Sequence, residues 1–178
     1  MKRKYTPTAN LKGYISESLM LLMRKKSFTD ISIGEITDKA GVNRSSYYRN
    51  FNSKEEIIKY YFNKIIFELI EIVKDNKDMT LNEYLVKMFS HFYHYKKELL
   101  LIDKNKLSHL ILDTLTETFT GLRKQQIFEE KFKTYYHTGG IYNSFLLWFS
   151  DEMSVSPEKM AELSCSILPK GFRPVLVL

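Results

Sequence analysis

The side chains best placed for chemistry in this 178-residue chain lie between Ser32 and Lys54, in SIGEITDKAGVNRSSYYRNFNSK. The chemistry they offer is hydrogen bonding and charge rather than bond breaking. Arg44 carries a guanidinium that can meet guanine through two parallel hydrogen bonds, worth about 1–3 kcal/mol of discrimination between bases. Ser45 and Ser46 share its turn, where a helix lying in a DNA groove meets base edges. Lys54 stands at the predicted start of a further helix, where an ammonium and the positive end of the dipole together favour phosphate. Ser32 and Thr37 offer hydroxyls from the helix before. Tyr47 is open between packing on Ala40 and Val42 and touching DNA, Tyr48 lies a helical step further round and faces solvent, and Arg49 reads as a solvated residue.

The competing chemistries lack residues. Of the four histidines, His91 and His94 are three apart, yet no HExxH, ExxH or cysteine pair accompanies them or His109 and His137, so no metal or cofactor is expected. No nucleophile elbow, phosphate-cradling glycine loop or paired-carboxylate site is present, and no enzymatic activity is expected. A helical-bundle enzyme carrying a vestigial head is the weak rival. An absorbing cofactor or metal in the purified protein would reveal it.

Capping patterns position these side chains. Ser32 with Glu35 makes an S-x-x-E capping box, so a helix over 33–40 is predicted, with Ile36 and Ala40 on one face. Gly41 permits a sharp turn, Val42 returns to the core, and Asn43 N-caps a second helix over 44–50. Ser53 with Glu56 is a second capping box, opening a long helix from Lys54 to about Lys74. This is a helix-turn-helix whose second helix is free to enter a DNA groove. Phe51 is the plug that holds the helices together.

Residues 8–68 resemble the N-terminal domain of the TetR/AcrR family of bacterial transcription regulators. The resemblance rests on Ile36, Ala40-Gly41-Val42, Tyr47-Tyr48, Phe51 and the Ser53-Lys54-Glu55-Glu56 start, and fades beyond about residue 75. It implies an all-α fold: a three-helix DNA-binding domain at 8–68, its helix-turn-helix at about 31–50, and a helical effector-binding and dimerisation domain at 69–170. It also implies that Tyr48 approaches phosphate or a base and that Asn50 touches phosphate. A homodimer would read a pseudo-palindromic operator in double-stranded DNA, most often repressing until a small effector binds. Some relatives activate, or answer to a protein partner.

Charge agrees. Residues 1–52 hold ten Lys and Arg against four acids, an excess that equals the whole formal charge of +6. A polyanion partner for this end follows. Lys2, Arg3 and Lys4 form a short basic arm. With 44% hydrophobic and 27% charged residues, the composition is that of a globular chain. The single cysteine, Cys165, suits a reducing cytoplasm, no apolar segment follows the basic start, and no apolar run is long enough to cross a bilayer.

Elsewhere apolar spacing predicts helices from Thr6-Pro7 to about Lys26, over 80–95 behind a Thr80–Glu83 capping box, over Lys96–Ile102, Asn105–Gly121 and 125–150, and over 157–167 behind Ser156-Pro157. Tyr84, Met88, Phe92, Tyr95, Phe119 and Tyr135 are candidates to line an effector pocket, with ordinary core packing as the alternative for each. Gly139-Gly140 in mid-helix costs about 1 kcal/mol each relative to Ala, which a close approach of another backbone would offset. The family pairs its last two helices with their copies, which implies a dimer interface at Gly139, Gly140, Tyr142, Phe145, Trp148, Met160 and Leu163. The tail from Gly171 matches no family feature.

Overall fold

The computed structural model describes residues 10–74, 78–122 and 127–168, and among them all regular structure is helical. The order is α1 (Leu11–Met23), a 3-10 turn (Phe28–Asp30), α2 (Ile33–Ala40), α3 (Arg44–Asn50), α4 (Lys54–Val73), α5 (Leu81–His94), α6 (Lys96–Lys104), α7 (His109–Gly121), α8 (Phe128–Ser150) and α9 (Pro157–Ile167). The predicted start of the first helix at Thr6-Pro7, the basic arm and the tail from Gly171 lie outside the described residues.

Local signals set most boundaries. The Ser32–Glu35 and Thr80–Glu83 capping boxes both form in full. At Ser53 the hydroxyl accepts the Glu56 N–H, but the Glu56 carboxylate reaches the Asn52 N–H instead, so that box is half made. Asn43 occupies the N-cap of α3 without a side-chain capping bond. Gly41 ends α2 at φ +68°, a left-handed conformation a β-carbon would strain.

Two boundaries differ from expectation. The chain leaves α1 at Arg24, whose guanidinium pairs with Glu98 at 2.8 Å instead of serving the helix end. α7 starts at His109 rather than Asn105, because Asn105 closes α6 and Lys106 turns left-handed at φ 61°.

A small head forms where α1 packs on α2 and α4, and α2 on α3. Ile15, Leu19, Ile36, Val42, Tyr47 and Phe51 are buried in it. α4 continues into the body, packing on α5 and α7, with α8 against α7 and α9 against α5. Aromatic rings fill the body: Phe62 stacks on Phe92 at 5.9 Å, and Phe92 meets Phe145 edge-on at 4.7 Å. Head and body are tied by polar contacts. Lys59 of α4 pairs with Asp113 at 3.2 Å and Glu117 at 2.9 Å on α7, and the Phe28 N–H donates to Asn105 Oδ1 at 2.8 Å.

Candidate nucleic-acid interface and ligand cavity

The helix-turn-helix is built from inside outward. Tyr47 is fully buried, edge-on to Tyr48 at 5.2 Å and tilted against Phe51 at 6.3 Å. Of the two roles open to it, core packing is the one the structure shows. Among the described residues its hydroxyl has no hydrogen-bond partner. Such a group costs about 1–3 kcal/mol, so Tyr47→Phe is expected to raise stability by about 1 kcal/mol in chemical denaturation. Unchanged DNA affinity in the same variant would place the hydroxyl outside the DNA contact, whereas a clear loss would mean the ring is released on binding.

Thr37, expected to offer a hydroxyl to DNA, is buried instead, and its Oγ1 donates to the Gly34 carbonyl at 2.9 Å. Its place on α2 faces the head core beside Ile36, so it is removed from the candidate surface.

Lys54 also has another task. Its ammonium donates to the carbonyls of Phe28 at 2.7 Å and Ile31 at 2.8 Å, with Thr29 at 3.4 Å, and sits over the Phe28 ring at 4.6 Å. These are carbonyls of the 3-10 turn and its C-cap Ile31, and the Phe28 carbonyl also accepts the Ile31 N–H at 3.3 Å. The expected phosphate clamp is thus a brace between α4 and the turn. Nothing in the local sequence signals it, because donor and acceptors are separated by more than twenty residues.

What remains outward is a compact polar face. Arg44 and Ser45 are exposed, Ser46 is half-buried, and Tyr48 is 60% exposed. The Arg44 guanidinium lies against Gly34, where a β-carbon would come within 2.8 Å of Nη2. Asn50 is half-buried and its Nδ2 donates to the Ser46 carbonyl at 2.7 Å. Ser32 is exposed, but its hydroxyl already serves the cap. The Lys26 ammonium, then the Ser32 N–H and hydroxyl, hold the Glu35 carboxyl down to about 2, so it stays charged and keeps the start of α2 fastened.

In the body, a cavity of about 560 Å³ lies between α5, α7, α8 and α9. Tyr84, Met88 and Phe119 line it, together with His137, Ser144 and Ile167. Three expected residues do not. Phe92 is spent on the core stack, Tyr95 donates to the Glu68 carboxylate, and Tyr135 faces solvent. Spacing along a helix could not separate these roles, because α8 carries aromatic rings on every side.

The expected dimer-interface residues divide in the same way. Phe145 and Trp148 are buried within the chain, Trp148 donating its indole N–H to the Val155 carbonyl at 2.9 Å, and Met160 is buried on the side of α9. They belong to the protomer core and are withdrawn from the interface. Tyr142 is half-buried and Leu163 exposed. Among the described residues nothing comes within 4 Å of a β-carbon built on Gly139 or Gly140, so none of their backbone makes the close approach expected there. Instead, Phe128, Phe132, Tyr135, Tyr136 and Leu147 form an open apolar stripe along α8 on either side of the glycines.

Among the described residues no three His, Cys, Asp or Glu side chains gather to hold a metal ion, and no helix is long and apolar enough to cross a membrane. His91 Nε2 is 2.8 Å from the Ile65 carbonyl, a structural role.

Comparison with known proteins follows the same division. The family described as bacterial regulatory proteins, tetR family, matches residues 17–61, which run from α1 through the helix-turn-helix into α4. Over 144 residues the chain is 24% identical to the HTH-type dhaKLM operon transcriptional activator DhaS of Lactococcus lactis subsp. lactis (strain IL1403), covering 74% of this chain and 68% of that protein. A solved dihydroxyacetone kinase operon activator DhaS superposes with a TM-score of 0.54 at 18% identity, over 88% of this chain and 93% of the other. Thermus thermophilus FadR, a TetR-family transcriptional repressor solved with lauroyl-CoA, gives 0.56 at 17% identity, over 92% and 98%. These structural likenesses speak for the all-α fold, and the matched head speaks for the family. Residues 17–61 thus form a DNA-binding head of the kind found in the tetR family of bacterial regulatory proteins.

Proposed function

We propose that the protein binds a pseudo-palindromic operator as a homodimer and represses transcription until a small, largely apolar effector enters the cavity between α5, α7, α8 and α9. In this reading 8–68 is the DNA-reading unit and 69–170 the effector-binding and dimerisation unit. The observation that carries it is the outward polar face of α3, set on the segment that holds the chain's whole positive excess. Arg44, Ser45 and Ser46 would meet base edges and Tyr48 a phosphate. Asn50 and Ser32 would add backbone contacts at the rim.

The route from cavity to head runs through α7. Phe119 lines the cavity, while Asp113 and Glu117 on the same helix hold Lys59 of α4, two turns from the recognition helix. An effector that moves Phe119 would shift these carboxylates and, through Lys59, the tilt of α4. It acts only if it binds the released state better, and a hundredfold shift needs about 2.7 kcal/mol of differential affinity.

A second reading has one observation behind it: the relative at 24% identity is described as an activator. Here the same head would recruit transcription, with a protein partner as the signal.

The test is selection of genomic fragments by the purified protein, with footprinting of the enriched ones. A protected pseudo-palindrome is the expected result, and no enrichment with or without cell extract would overturn the reading. On such a site Arg44→Ala should cost about 1–3 kcal/mol and relax preference at one base pair, while Tyr48→Phe should weaken all sites alike. Affinity should fall with salt at a log–log slope of about −0.9 per neutralised phosphate. A flat response would argue against the basic head as the DNA surface. A reporter driven from the site, assayed with and without the protein, separates repression from activation.

A further inference from the structure

The wall of the cavity carries one polar group that packing alone does not explain. Thr80 and Glu83 fix the first turn of α5, and the helical spacing that follows turns Tyr84, Leu85, Met88 and Phe89 inward. The last three need no hydrogen bond there. Tyr84 brings a phenol with it, 5% exposed and on the cavity wall. Its hydroxyl makes no hydrogen bond among the described residues. Burial raises its pKa, so the group remains an O–H donor at pH 7.

The other polar groups are engaged or uncharged. Ser144 Oγ donates to the Gly140 carbonyl at 2.9 Å and Ser164 Oγ to the Met160 carbonyl at 2.8 Å, so their hydrogens are used within α8 and α9. Burial lowers the His137 pKa, which leaves its ring uncharged at pH 7. Among the described residues that line the cavity there is no Lys, Arg, Asp or Glu. Tyr136, Gly140 and Ile167 are its exposed rim, and Lys133, one turn before His137, pairs with Glu130 at 3.5 Å.

These walls discriminate by charge and by the direction of a hydrogen bond. A carboxylate, phosphate or ammonium would leave water for a site with no counter-charge, a strongly unfavourable exchange. A carbonyl or ether oxygen would accept from Tyr84 and satisfy a donor that is otherwise buried without a partner. A hydrocarbon of the same shape would leave that donor unmet. The volume of about 560 Å³ suits a small organic molecule.

We infer that the effector of this cavity is an uncharged, mostly apolar molecule whose carbonyl or ether oxygen accepts a hydrogen bond from Tyr84. The inference rests on the proposed effector cavity and names the chemical class it takes: neutral ketones, esters, lactones or aryl ethers rather than organic acids, phosphate esters or amines. Tyr84 determines the specificity, because it separates an acceptor from a hydrocarbon of equal size.

The test measures binding to the full chain, by equilibrium dialysis, of four probes of one shape: 2-acetylnaphthalene, 2-isopropylnaphthalene, 2-naphthoate and 1-(2-naphthyl)ethylammonium. The ketone is expected to bind about tenfold more tightly than the hydrocarbon, the effect of one buried hydrogen bond. It should bind at least about a hundredfold more tightly than either ion. Tyr84→Phe should stay folded by circular dichroism, bind the hydrocarbon as before and lose the preference for the ketone. Ser144→Phe, which fills the cavity, should stay folded and lose all binding.

Ions that bind as well as the ketone, and lose binding in Ser144→Phe, would overturn the neutral class while leaving the effector cavity standing. A ketone preference absent from the wild type, or surviving in Tyr84→Phe, would overturn the role of Tyr84. Equal weakening of ketone and hydrocarbon in that variant would give the residue a structural role only and overturn it as well. Wild-type protein that takes up none of the four, or binding that survives in Ser144→Phe, would overturn the effector cavity itself and the ligand class with it.

Discussion

Phe51→Ala is expected to lower the stability of the protein by about 3–5 kcal/mol, the usual cost of deleting a buried ring. Phe51 is 3% exposed and joins three elements at once. It tilts against Tyr47 on α3, meets Tyr60 on α4 edge-on at 5.7 Å, and receives the Lys12 ammonium of α1 at 5.5 Å from its ring centroid. Because a domain of this size has about 5–15 kcal/mol to lose, the variant should unfold at markedly lower denaturant concentration. Specific DNA binding should be lost with it, since α3 is held to α4 through this ring. Leucine at the same site should recover part of the stability. A Phe51→Ala variant as stable as the wild type would show that the head is not packed around this side chain.

Phe132→Glu combined with Leu147→Glu is expected to reduce operator affinity at least a hundredfold, without altering any residue near DNA. The reason is multiplicative binding. A dimer places two heads on two half-sites, and a monomer keeps only one, close to non-specific affinity at physiological salt. Both positions are on the open face of α8, so the fold should persist and the loss should appear in the gel-shift or anisotropy titration alone. At high protein concentration the footprint should shrink from two half-sites to separate, weaker ones. Unchanged affinity and a two-half-site footprint would place the dimer interface elsewhere on the chain.

The two variants probe different kinds of information. Phe51, one of the residues that carry the family resemblance, was read from the sequence as the plug that holds the helices of the head together, and its ring is buried there. The stripe was not so read. A helix with Phe128, Phe132, Tyr135, Tyr136, Tyr142, Phe145, Trp148 and Phe149 is apolar most of the way round. Its period says that it is a helix but not which side is inward. The body chose Phe145, Trp148 and Phe149, leaving Phe128, Phe132, Tyr135 and Tyr136 outside. Phe145 and Trp148, expected at a dimer interface, are buried within the chain instead.

The sequence by itself determined the local architecture of the head. α2 begins at its Ser32 cap and ends at Gly41, and α9 begins at Ser156-Pro157, because those signals act within one or two turns of the chain. It also determined the sign of the partner, since a positive excess confined to the head is a property of composition. Only the tertiary structure decided which polar side chains are free. Lys54 turned from a phosphate ligand into a brace because three carbonyls of a turn more than twenty residues earlier fall around its ammonium. Thr37 and Tyr47 turned inward because α1 and α4 pack on that side of the helix-turn-helix. The cavity, too, exists only where four helices fail to close on one another, a consequence of shape that no stretch of chain encodes alone.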